Sequence, residues 1–124
     1  MVPADDGASP APIDRSVLER IQSRLASTRL VESSTLTADG NLYLRIVLSG
    51  DYYPSDVTAR LEIRWYRNDD FNVQYQEQRQ EKAWTCRWDR HPNPHNSRDH
   101  FHPPPVASQA DARDNQWPDD HRDI

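Results

Sequence analysis

A chain of 124 residues can form one domain with a real hydrophobic core but not two comfortable ones. Only 35% of the residues are hydrophobic, with a mean hydropathy of −1.02, so the apolar side chains must be concentrated in the middle, and no run approaches the length needed to span a bilayer. Acidic residues outnumber basic ones 20 to 15, and every basic residue except Lys82 is arginine; this Arg-over-Lys, Asp-rich surface points to a halophile and supplies side chains that grip phosphate with a planar fork.

Residues 1–12 are Pro/Ala-rich and acidic, without the apolar stretch of an export signal, and read as a flexible leader. Ile13 and Asp14 then precede a stripe of Val17, Leu18, Ile21 and Leu25 at helical spacing. Asp14 can cap this helix, with Ile13 stapled onto Leu18; Ser16 with Glu19 three residues on is the alternative cap. The helix is predicted over about 14–28.

From Arg29 the period changes to two. A first strand over 30–37 and a second over 42–49 flank Asp39-Gly40, a tight-hairpin signal. In the second, Leu42, Leu44, Ile46 and Leu48 share the face a helix would cover. A third strand alternates Leu61, Ile63 and Trp65 against Arg60, Glu62, Arg64 and Tyr66. Asn68-Asp69-Asp70 turns the chain into a fourth strand with Phe71, Val73 and Tyr75 on one side, and a fifth places Trp84, Cys86 and Trp88 together. The expected fold is α+β: an N-terminal helix packed on an antiparallel sheet of about five strands, followed by a His/Pro-rich loop and tail. One domain is expected over 13–105, with 106–124 an acidic tail. The expected core is Ile21, Leu25, Leu44, Ile46, Leu61, Ile63 and Trp65.

Chemistry concentrates where the alternation ends. Arg87, Asp89, Arg90, His91, His95, Arg98, Asp99, His100 and His102 crowd into the run that leaves the fifth strand, and four of the five histidines fall there. Prolines at 92, 94 and 103–105 argue against ladder pairing, so this run is expected to be a loop at one rim of the sheet.

Three readings of these histidines stand open. In metal-free RNA cleavage one histidine takes a proton, another gives one, and an arginine steadies the charged phosphorane. A metal site can draw on His100 and His102 with His95, Asp99 or Cys86. A structural loop can use its histidines to cap backbone carbonyls. Cys86, the only cysteine, allows no internal disulfide, fits a reducing cytoplasm and reads as a small buried hydrophobe rather than a nucleophile. Arg45, Arg60, Arg64 and Arg87 can form one basic row across the sheet, or a solvated face paired with acids such as Glu62.

The string Arg87-Trp88-Asp89, leading through a Pro/His loop into Asp99-His100-Phe101-His102, resembles the toxins of TumE-type toxin–antitoxin systems. That resemblance implies a growth-inhibiting protein that acts on RNA and is neutralised by a helix-turn-helix antitoxin. It assigns the site to Arg87, Asp89, His95, His100 and His102, with RNA and a cognate antitoxin as partners and with no metal or cofactor and no membrane. The alternatives carried forward are a non-catalytic protein-interaction module with a structural His/Pro loop and a small metal-binding protein.

Overall fold

In the computed structural model, which describes residues 11–38, 41–91, 99–107 and 113–114, Asp14 starts the only helix of any length among them, α1 (Arg15–Ala26). The Asp14 carboxylate accepts the Val17 N–H at 3.3 Å and the Ser16 hydroxyl at 2.9 Å, satisfying donors that a helix N-terminus leaves open. The same end is tied to the sheet, because Asp14 N–H donates to the Trp65 carbonyl at 2.8 Å and Arg67 N–H to the Pro12 carbonyl at 2.9 Å.

Among the described residues, seven antiparallel strands follow in chain order across one sheet: β1 (Val31–Thr37), β2 (Tyr43–Leu48), β3 (Val57–Trp65), β4 (Phe71–Arg79), β5 (Lys82–Arg90), β6 (Asp99–His102) and β7 (Arg113–Asp114). The α+β architecture is the one expected, and β1–β5 are the five strands that the alternation predicts. The tip Asp39-Gly40 lies outside the described residues, but Thr37 faces Tyr43 across a hairpin pairing. Asp69 closes the β3–β4 turn with φ 64°, a left-handed conformation that Asp tolerates better than most residues, and its carboxylate accepts the Trp65 indole N–H at 3.0 Å.

The two further strands correct the expectation that everything beyond Trp88 is unpaired loop. β5 runs on to Arg90, and Asp99–His102 pairs back on it with Trp88 opposite Phe101. Proline excludes pairing only where it stands, and these four residues contain none. Histidine and aspartate in their alternating positions hide the period from any search for apolar residues. Arg113–Asp114, in the stretch read as tail, pairs with His100 and Phe101.

The core lies where the tied end of α1 meets the sheet. Val17, Leu18, Leu44, Ile46, Ile63, Trp65 and Phe71 are buried together, with Trp65 and Phe71 stacked at 4.9 Å. Leu44, Ile46, Ile63 and Trp65 are buried as expected, whereas Ile21, Leu25 and Leu61 are only partly covered at its edge. The helix stripe is therefore used unevenly, most fully in the turn that the Asp14 and Arg67 hydrogen bonds hold down. Cys86 is buried and free, and burial, aided by the charge of Glu77, pushes its thiol above its ordinary value.

Truncation should separate these two classes. Ile63→Ala, at a position 5% exposed, should cost about 2–5 kcal/mol in chemical denaturation, through lost transfer energy and the cavity left behind. Leu61→Ala should cost clearly less, and equal losses would contradict the division between core and edge.

Candidate functional site

The face of the sheet turned away from α1 carries polar side chains, and at its β4–β6 end they converge on one carboxylate. Alternation puts Arg87 and Asp89 of β5 on this face together with His91 just beyond the strand, and the β5–β6 register sets Arg87 opposite His102 and Asp89 opposite His100. From β4, Asn72 faces Asp89. Asp89, His100 and His102 are fully buried, and His91 and Asn72 nearly so.

Asp89 receives donors on both oxygens. Asn72 Nδ2 donates to Oδ1 at 3.0 Å, and Arg87 Nε reaches Oδ1 at 3.1 Å and Oδ2 at 2.9 Å. His102 Nε2 lies 2.7 Å from Oδ2, while His91 Nε2 and His100 Nε2 stand at 3.5 Å from the same oxygen. The imidazoles pack edge to face, with centroids 4.8 Å apart in both the His91–His100 and the His100–His102 pairs. Burial alone would raise the Asp89 carboxyl. His100, His102 and His91, together with the Arg87 charge, outweigh it and hold the group well below the usual carboxylate range.

His102 Nε2 has a second neighbour, Arg87 Nη2 at 3.2 Å. A guanidinium can only donate, so this contact is a hydrogen bond only when Nε2 is unprotonated. The 2.7 Å approach to the carboxylate needs the proton between nitrogen and oxygen, which makes Nε2–H the resting arrangement. One imidazole nitrogen is thus flanked by a cation that favours its lone pair and an anion that favours its proton.

Of the residues assigned from sequence, the structure brings Arg87, Asp89, His100 and His102 together, and His95 lies outside the described residues. Sequence reasoning missed Asn72, whose signal is its place opposite Asp89, and left His91 unassigned although it shares the parity of Arg87 and Asp89. Metal-ligating atoms of Asp89, His100 and His102 lie within 4.8 Å of one another, and a carboxylate with two imidazoles is a donor set that suits zinc and its neighbours.

The family profile for the toxin TumE matches residues 17–124, and so spans all of the sheet and the convergent side chains. The chain belongs to the TumE toxin family. No curated protein and no solved structure matches it. Membership makes this TumE-family chain a toxin of a toxin–antitoxin system and implies a cognate antitoxin as its partner. Among the described residues, no helix is long and apolar enough to cross a membrane.

Stability should depend on pH through Asp89. Because its folded pKa is depressed, its ionisation stabilises the fold fully above the ordinary value of 3.8, and that contribution fades as pH falls below 3.8 toward the folded value. Asp89→Asn should therefore be destabilised near neutrality by about 3–5 kcal/mol, as expected when one partner of a buried charge network is lost. Urea melts at a series of pH values should show the gap to wild type narrowing below 3.8; a constant gap would mean that the carboxylate is not held ionised.

Proposed function

We propose that this toxin is a ribonuclease that acts on cytoplasmic RNA at the Asp89 cluster and is silenced by a helix-turn-helix antitoxin. The supporting observation is the Arg87–His102–Asp89 contact: a cation, a proton carrier and a buried anion that orients it, at 2.7 and 3.2 Å. In this reading Arg87 binds the scissile phosphate and offsets the charge that builds on the phosphorane. His102 and His100 exchange the two protons that transfer from the 2′-hydroxyl to the 5′-oxygen requires, and Asp89 holds His102 in one tautomer. His95 remains a candidate for either proton role.

Access follows from exposure. The Arg87 side chain is 12% exposed while Asp89, His100 and His102 are sealed, so RNA meets the arginine first, and the cluster must open locally for the histidines to reach the phosphate.

A second reading is supported by the same sealed geometry. Asp89, His100 and His102 can hold a metal ion, which would supply Lewis-acid chemistry to the phosphate while Arg87 keeps its role. One set of measurements separates the two: cleavage of single-stranded RNA with and without chelator, beside growth arrest on expression. His102→Ala and His100→Ala should each lower cleavage by roughly 10²–10⁴-fold, and Arg87→Ala should also impair it. Loss of wild-type activity in chelator would transfer the histidines to the metal. Full activity and arrest in all three variants would reject the site.

A further inference from the structure

The polar face of the sheet carries a line of side chains that ends at the cluster. Arg45, Glu62, Gln74, Arg87 and His102 are successive cross-strand partners from β2 to β6. A parallel line joins Val47, Arg60, Gln76 and Thr85, and another joins Arg64, Asn72, Asp89 and His100. With strands about 4.8 Å apart, Arg45 stands about 19 Å from His102 along the row. The core cluster that includes α1 lies on the other face, so the helix does not cover this one.

The approach is electropositive in a chain of net charge −5. Arg45 is exposed and forms no ion pair among the described residues; the Arg60 and Arg64 side chains are 36% and 30% exposed. Arg60 and Arg64 share one acid, with Arg60 Nε at 3.0 Å and Arg64 Nη1 at 3.9 Å from Glu62, and Arg45 adds a third cation with no acid of its own among the described residues. Between them and Arg87 lie half-buried amides, Gln74 and Gln76, the latter accepting Arg60 Nη2 at 3.1 Å. The Arg64 guanidinium sits 4.6 Å from the centre of the Tyr43 ring, adding a flat surface for stacking at the near edge. A shallow depression of about 200 Å³ opens between Arg45, Val47, Arg60 and Gln76.

We infer that this row is the approach track of the substrate: a single-stranded RNA lies across β2–β5, its phosphates on Arg45, Arg60 and Arg64, and leads into Arg87 at the cluster. Charge complementarity selects a polyanion, since Arg60 and Arg64 share the single carboxylate of Glu62 and Arg45 has no acidic partner among the described residues, which leaves excess positive charge along the row. The amides and the Tyr43–Arg64 surface select a single strand, whose unstacked bases present edges and faces that a duplex hides. This inference rests on the ribonuclease reading of the site, but its test does not.

Binding of a short fluorescein-labelled single-stranded RNA of mixed sequence, measured by anisotropy over a range of salt concentrations, reads the track without turnover. Replacing Arg45, Arg60 and Arg64 together by Gln should weaken binding by about tenfold or more and reduce the salt slope by about 2, at about 0.7 for each phosphate no longer neutralised. The corresponding triple Arg→Lys variant should keep most of both, because neutralising a phosphate needs only a point charge.

Unchanged affinity and slope in the triple Gln variant would overturn the inference, as would equal loss in the Lys variant, which would mark a structural role. Loss of antitoxin binding with RNA affinity intact would also overturn it, in favour of a protein-docking face. Arg-dependent RNA binding by a wild type that cleaves nothing would uphold the track and remove the ribonuclease reading.

Discussion

Asp89 keeps a negative charge at zero exposure, and the arrangement of the β4–β6 end of the sheet is the condition for it. Taking a carboxylate out of water costs several kcal/mol unless donors replace the hydration shell. Here the replacement comes from separate pieces of chain: Asn72 from β4, Arg87 and His91 from β5 and the residue beyond it, and His100 and His102 from β6. None of these can move to another register without stranding the charge. The carboxylate therefore specifies the local structure even where its net contribution to stability is modest, which is the best-attested use of a buried ionic group.

The opposite face specifies the same register independently. Trp88 packs on Phe101 with ring centroids 5.5 Å apart, and Arg90, 2% exposed, holds Asp99 with Nε at 2.8 Å and Nη2 at 3.3 Å while its guanidinium lies 5.3 Å from the Phe71 ring centre. A slip of one residue would send His100 and His102 through the sheet and bring Phe101 into the polar cluster. Two chemically unrelated sets of contacts thus agree on one pairing. That agreement lets a four-residue strand of poor β-propensity persist at this edge.

The legibility of the sequence varies with the kind of signal each element carries. β2 and β3 can be read because Leu44, Ile46, Ile63 and Trp65 repeat at period two and are buried for the apolar reason that the pattern encodes. The helix start can be read because Asp14 caps through local contacts only. Ile21 and Leu25 are less covered than their stripe implies, because the tie between Asp14 and Trp65 is a tertiary contact without a local signature. β6 is hidden for a different reason: it is buried through polar pairing, and a hydrophobicity pattern cannot announce a strand whose inward residues are histidines. The cluster itself is half visible. Arg87, Asp89, His100 and His102 stand out as chemistry, but Asn72 becomes a partner only once strand register is known.

Proton count connects the geometry to the two chemistries open to it. A histidine that donates Nε2–H to Asp89 has no lone pair on that nitrogen for a metal, and one that binds a metal through Nε2 must carry its proton on Nδ1 or lose it. The hydrogen-bonded cluster and one in which a metal takes His102 Nε2 are accordingly different tautomers or protonation states of the same residues, exclusive at that nitrogen so long as its 2.7 Å bond to Asp89 stands. Arg87 biases this choice. Its guanidinium beside His102 Nε2 opposes an incoming cation and would attract a phosphate, and it cannot give up its charge. Under the proposed function, a phosphate bound at Arg87 would offset that repulsion by placing negative charge beside the guanidinium, and so would make proton transfer or metal binding at His102 less costly than in the free protein.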